Sequence, residues 1–380
     1  MKLRMLSLAG LAAGLHLGIA SAQSSVTLYG ILDTGIEMVT HADAAGDRIV
    51  RMPGITGSMP SRWGLRGRED LGGGLAAIFT LEDGFNPRAG DINQGGRLFG
   101  RQAWVGLSSP YGALTFGRQY TMTYWAIVDS DILGPDIYGG VGSLDAYVPN
   151  ARSDNTITYK GTFAGLTAGA TWSFGRDSAG TGNSPGQGTC AGSLPGNAQA
   201  CRQWSVMLRY DGDNFGVASA YDEQRGGPGA AANLFNGAAP LPLTASGDKD
   251  VRMQLNGYYK LGSFKVGAGW LGRHVETVSP AVPGVHIDIW YVTASYFVTP
   301  AAIVDGGAYR TIDSQQDTRG TIATLRGTYL LSKATAVYLQ SGYLFNSAKA
   351  KYTLSQGGPG ATPAAGIGQL GVMAGIRHSF

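Results

Sequence analysis

The connections of this chain alternate in length, and that alternation leaves few folds open to it. Seven connections are tight turns, at 69–74, 108–113, 160–166, 211–215, 260–264, 299–301 and 332–335. Eight are long, at 41–60, 86–96, 121–150, 176–202, 222–250, 274–285, 312–318 and 346–367. Between them lie segments of about 9–14 residues in which apolar and polar side chains alternate with period two, the pattern of strands and not of helices. In the first segment Val26, Leu28, Leu32, Ile36 and Met38 share one face, and Thr27, Tyr29, Asp33, Gly35 and Glu37 share the other. Sixteen such strands, each hairpin short at one end and long at the other, fit a membrane barrel with lipid outside and water inside. Strands of this length cross a bilayer when tilted. Closure leaves no backbone N–H unpaired in hydrocarbon, and sixteen strands enclose an aqueous channel. The expected fold is therefore all-β: a 16-stranded antiparallel transmembrane β-barrel.

Residues 1–22 read as a signal peptide. Lys2 and Arg4 precede an apolar run, and Ala20-Ser21-Ala22 offers small residues for cleavage between Ala22 and Gln23. The exported chain, 23–380, is expected to be one barrel domain. Charged residues make up only 14% of the sequence and glycine 60 of its 380 residues, against about 25% charge in an ordinary soluble chain. Without the leader, 27 basic residues balance 26 acidic ones, so nothing in the charge points to nucleic acid. Cys190 and Cys201 are the only cysteines and lie in CAGSLPGNAQAC, which suggests a disulfide closing a short loop of an exported protein. No ligand set for a metal or cofactor is visible. The four histidines after the leader, His41, His274, His286 and His378, show no triad context that would suit catalysis.

The connection at 121–150 is unusual in two ways. It is far longer than the usual roughly 4–6 residues, and loops of that length are normally functional. It also holds Asp129, Asp131, Asp136 and Asp145 but no Lys or Arg, whereas residues 62–121 hold seven Arg and no Lys. Strand SRWGLRGREDL places Arg62, Arg66 and Arg68 on one face, too polar for a packed core. The loop is expected to fold into the barrel and face an arginine wall, the gap between them being the constriction. Tyr29, Asp33 and Glu82 are expected in the lumen. Aromatic residues near strand ends (Tyr29, Trp63, Tyr111, Tyr210, Tyr258, Tyr259, Phe297 and Tyr329) suggest interfacial girdles. The last strand, IGQLGVMAGIRHSF, puts Phe380 on the same face as Leu370, Val372, Ala374, Ile376 and His378, where a terminal aromatic is available to an assembly machinery.

The stretches SSVTLYGILDTG, SRWGLRGREDLGGGLAAIFTLEDGFN, RQAWVGLSSPYGALTFGRQY and the terminal GIRHSF resemble the trimeric, sixteen-stranded general diffusion porins of Gram-negative outer membranes. The resemblance implies a homotrimer, contacts with outer-membrane lipid and lipopolysaccharide, and an inward third loop whose tip matches Pro135-Asp136-Ile137-Tyr138-Gly139-Gly140. By motif the basic wall is Arg62, Arg101 and Arg152, with Arg66, Arg68 and Arg118 nearby, and the acidic side is Asp129, Asp131 and Asp136. Strand parity around RLFGRQAWVGL conflicts with an inward Arg101. The expected solution turns Leu98, Gln102 and Trp104 outward, at a subunit interface. Six arginines outnumber the loop carboxylates, so passive diffusion of small hydrophilic solutes with weak anion preference is expected. A sugar- or anion-specific porin, using Tyr124, Trp125 and Tyr138 as an aromatic slide, is the nearest rival. A barrel adhesin or enzyme is more remote.

Overall fold

The computed structural model describes residues 25–54, 56–176, 190, 192–355 and 361–380. The expected leader, 1–22, and its cleavage point lie outside them. Sixteen antiparallel strands build the barrel: β1 (Ser25–Val39), β2 (Arg62–Gly72), β3 (Leu75–Gly84), β4 (Gln102–Ser109), β5 (Gly112–Tyr120), β6 (Arg152–Phe163), β7 (Leu166–Ser173) and β8 (Gln203–Asp211). The second half is β9 (Phe215–Arg225), β10 (Lys249–Leu261), β11 (Phe264–Glu276), β12 (Val285–Thr299), β13 (Ala302–Asp313), β14 (Thr318–Leu330), β15 (Thr335–Asn346) and β16 (Gln369–Ser379). Each strand pairs with its neighbour in sequence, and β16 returns to β1, from Ile31 opposite Ser379 to Val39 opposite Gly371. The sheet is thus closed. A short strand, Ile49–Arg51, extends the ladder beside β1, and Ala231–Ala232 pairs with Leu241–Pro242 in the fifth long loop.

The final residue completes the seam. Gly30 and Phe380 exchange both backbone bonds, at 2.9 and 3.1 Å. The Phe380 ring points outward and lies over Gly30, where any side chain would collide with it.

Inside and outside follow the alternation. In β1 the apolar Val26, Leu28, Leu32 and Ile36 are exposed, and Asp33 and Glu37 are buried inside. Tyr111, Tyr210, Tyr259, Phe297 and Tyr329 are exposed near the short-turn end, where an interfacial aromatic has one apolar and one wet side. Two of the expected girdle residues face the other way. Tyr29 donates to Glu82 at 3.0 Å within the barrel, and Tyr258 donates to Asp211 at 2.8 Å. Each is drawn inward by a carboxylate two strands away, across the inner face of the sheet.

The expected solution for β4 is also overturned. Val105 and Leu107 are the exposed residues of that strand. Trp104 faces inward and donates its indole N–H to Gln102 at 3.0 Å. Arg101 needs no parity exception, because it lies just before the strand begins at Gln102, where its N–H still bonds the Glu82 carbonyl at 3.1 Å but the regular alternation has not yet started. Gln102 therefore sits in the lumen and not at an outer interface.

Strand length sets the position of the third loop. β4 and β5 have eight and nine residues, against 15 in β12. The chain after Tyr120 thus leaves the wall low and enters the barrel. It carries a helix α1 (Met122–Ile127) and a second turn α2 (Gly140–Leu144). The loop's Leu133, Ile137, Tyr138, Val141, Leu144 and Val148 pack on wall residues that include Leu271, Ile289, Tyr309, Ile322 and Leu344. Gly140 rests directly on the Tyr309 ring, with no room for a side chain. The same apolar cluster runs outward through Leu234 and Leu243 to Cys190 and Cys201, which are joined by a disulfide with Cα atoms 5.7 Å apart.

Leu339, near the middle of β15, is 61% exposed. Leu339→Arg should destabilise the barrel by roughly 2–4 kcal/mol, the cost of arginine facing hydrocarbon near the midplane. Urea unfolding in lipid vesicles would measure it, and Leu339→Ala should cost much less.

Candidate functional site

Six consecutive strands, β1 to β6, bring one polar cluster to the inner wall. Glu82 of β3 is its centre. It accepts from Arg101 Nε at 2.7 Å and from the Tyr29 hydroxyl at 3.0 Å, and Arg62 Nε lies 3.6 Å away. Tyr120, at the end of β5, accepts from Arg101 Nη2 and from Arg152 Nη2, each at 2.7 Å. The Arg152 guanidinium also lies 4.4 Å from the centre of the Tyr120 ring, and Tyr124 stacks on that ring with centroids 3.8 Å apart. Two guanidinium groups thus share one carboxylate, and a third joins them through the Tyr120 hydroxyl. Such a cluster keeps a net positive charge, and the shared hydrogen bonds fix its geometry.

Opposite this wall the loop presents no carboxylate. A cavity of about 160 Å³ separates the two. Arg62, Glu82, Arg101, Gln102 and Tyr120 line it from the wall strands, and Met59, Pro60, Tyr124, Trp125, Pro135, Pro149 and Asn150 line it from the first and third long loops. The expected acidic face has turned away. Asp136 is buried and pairs with Arg326 Nη1 of β14 at 2.9 Å, and Arg326 also holds Asp305 of β13 at 2.8 Å. Asp131 accepts from the Tyr309 hydroxyl at 2.8 Å. Asp129 pairs with Arg209 of β8 at 2.6 Å. Asp145 pairs with Arg252 of β10 at 2.7 Å, in a cluster completed by Asp250 and Arg273. The loop carboxylates fasten the loop to the far wall, and for the buried Asp136 and Asp145 the ion pair is what makes burial tolerable.

The remaining expected residues divide. Arg66 and Arg68 are exposed on β2, with Arg66 5.3 Å from the Tyr29 ring centre. Arg118 is not on the cavity wall. It pairs with Asp154 of β6 and donates to the Gly100 carbonyl at 2.6 Å, tying the second long loop to the wall. Asp33 is no solvated lumen charge either. It accepts from the Ser58 hydroxyl at 2.6 Å and the Met59 N–H at 2.9 Å, so it holds the first long loop, which in turn meets the third through the Ile137 N–H and the Gly57 carbonyl at 2.9 Å. Tyr138 is buried beneath the loop, so it forms no slide with Tyr124 and Trp125. Arg209, Arg252 and Arg326 are site residues that no motif in the sequence singles out. Their signal was present: Arg252 shares the inward parity of Asp250, Gln254 and Asn256, a polar face that needs partners.

A family model described as Gram-negative porin matches residues 7–349. The chain is 31% identical to outer membrane porin protein 32 of Delftia acidovorans, with all of both chains aligned. It is also 31% identical to an outer membrane porin protein of Bordetella pertussis, over 87% of this chain and 91% of the relative. Among solved structures, an anion-selective porin from Comamonas acidovorans superposes with a TM-score of 0.75 at 26% identity, covering 94% of this chain and all of the other. A trimeric form of a Vibrio cholerae outer membrane protein, 17% identical, shares the fold with a TM-score of 0.62.

Two predictions follow from the anchors. Arg326→Met leaves Asp136 and Asp305 buried without their cation, which typically costs roughly 3–5 kcal/mol; proteolysis within 129–145 should become faster. Burial also pushes Asp131 up to about 6 and Asp136 up to about 7, from an ordinary 3.8. The docked loop therefore binds protons more tightly than the free loop, and docking should strengthen as pH falls from about 7 toward 4. Protection factors of 129–145, that is, exchange rates divided by the intrinsic rate at each pH, should be higher at pH 5 than at pH 8, and Asp136→Asn should reduce that difference.

Proposed function

This chain belongs to the Gram-negative porin family, and we propose that its channel favours small anions at a constriction between the third loop and the arginine wall. The protein lies in the outer membrane and serves passive diffusion. One observation carries the selectivity reading: Arg62 and Arg101 line the gap against Glu82 alone, with Arg152 held behind them on Tyr120, while Asp131 and Asp136 are committed elsewhere.

Charges around a narrow, water-filled throat raise the local concentration of the opposite ion. The low-dielectric protein around the gap focuses that field into the water. An anion entering it exchanges part of its hydration for guanidinium N–H groups already held in place. Arg66 and Arg68 continue the basic surface down β2. The loops offer prolines, methionine, rings and the Asn150 amide but no charge, so the field is one-sided: an arginine wall against a mostly apolar ledge. Support also comes from the solved relative described as anion-selective.

We further propose a homotrimer, as in the trimeric neighbour of the same fold, with the apolar outer face of β1 to β5 as its contact: Val26, Leu28, Val105, Leu107 and Phe116 are all exposed there. Lipopolysaccharide at the outer rim, recognition of Phe380 by the barrel-assembly machinery, and export with cleavage after Ala22 complete the reading.

The test is the reversal potential of the purified protein in a planar bilayer under a potassium chloride gradient. The expected sign is anion-leaning, and a cation-leaning value in the wild type overturns the reading. Arg152→Gln should lower the chloride-to-potassium ratio by about two- to fivefold, since one charge about 4–8 Å away is worth about 0.5–1 kcal/mol in water.

A further inference from the structure

The gap is unusual in joining cations to apolar surface. Arg101 is only 5% exposed. Its Nε and Nη2 are committed to Glu82 and Tyr120, and among the described residues its Nη1 has no protein partner. Arg62 likewise uses Nε toward Glu82 and Nη1 on the Pro60 carbonyl, leaving Nη2. Both residues line the cavity, so it contains guanidinium N–H groups suited to a carboxylate. The rest of its lining carries no charge: Met59, Pro135 and Pro149, the rings of Tyr124 and Trp125, and one amide, Asn150. A freely hydrated ion gains nothing from such a ledge. A flat ring does, through burial and contact with aromatic faces. The volume is also right: about 160 Å³ here, where a cavity of roughly 150 Å³ accepts benzene.

We infer that the solutes held longest in this gap are small aromatic carboxylates, of which benzoate is the simplest. The carboxylate is taken by Arg62 and Arg101, and the ring by the ledge of Tyr124, Trp125 and the two prolines. The inference rests on the anion-selective reading above and names the substrate class of the same site. It makes the gap a transient binding site, with a preference set by shape as well as charge.

The experiment uses the full-length wild-type protein in a planar bilayer, with chloride as the current carrier. Sodium benzoate, cyclohexanecarboxylate and acetate are titrated at constant ionic strength. Benzoate should halve the chloride current at about tenfold lower concentration than acetate, the size of effect one ring contact with partial burial supplies. It should also block below cyclohexanecarboxylate, which has the same carbon count but no flat ring. Equal block by benzoate and acetate overturns the inference, and equal block by the two six-membered rings overturns its aromatic class. Tyr124→Ala should shrink the benzoate advantage over acetate severalfold, with Tyr124→Leu used if the alanine variant does not assemble; an undiminished advantage overturns the placement. The reversal potential recorded in the same bilayer separates the two readings. A cation-leaning value sinks the selectivity reading itself, whereas an anion-leaning channel indifferent to benzoate sinks only this inference.

Discussion

A backbone amide in hydrocarbon has no partner except another strand, and the whole architecture answers to that. It requires closure, which here depends on the pairing of β1 with β16 and on the mutual bonds of Gly30 and Phe380. It fixes which side chains meet lipid, because once the sheet closes, parity leaves each strand one outward face. It also forces the irregular chain inward: a 30-residue connection between two short strands finds backbone partners only inside the barrel or above the membrane.

Inside, the governing term is electrostatic. The third loop carries aspartates and no cation, and a loop of that charge would be expected to face the nearest arginines. The barrel offers two basic regions, and the loop uses the second. Arg209, Arg252 and Arg326 lie where the loop's apolar residues also find cover, so burial and ion pairing act together there. The nearer arginines are already engaged by Glu82 and Tyr120. The result is a separation of duties: one set of charges holds the loop, and the other is left facing the gap.

The barrel was legible in the sequence because its rule is simple. Period two, turn chemistry and alternating connection lengths gave the strand number and the outward face of β1 and β16. The constriction was legible only in part. Arg62, Arg101 and Arg152 do gather at one place, but the direction of Asp131 and Asp136 depends on which wall the loop leans against, and no local pattern encodes that. Inward apolar residues such as Ile289 and Ile322 held the missing information: a lumen position that is apolar is covered by something. Arg101 and Trp104 misled for a different reason. Parity holds only within a strand, and β4 starts one residue after the arginine.

The apolar packing of the third loop makes the barrel eccentric. From β8 to β15 the inner wall is upholstered by the loop, and the open gap described here lies against β2 to β5. Solutes in that gap therefore meet an asymmetric cross-section, with one bare wall and one padded one. Over evolutionary time the two sides are free to change at different rates. The padded side is constrained as a protein interior is, by volume and buried charge. The bare side is constrained as a receptor is, by what must get through. A single chain in this way keeps a conservative half that sets bore and an adaptable half that sets taste, and a lineage facing new nutrients can retune the second without rebuilding the first.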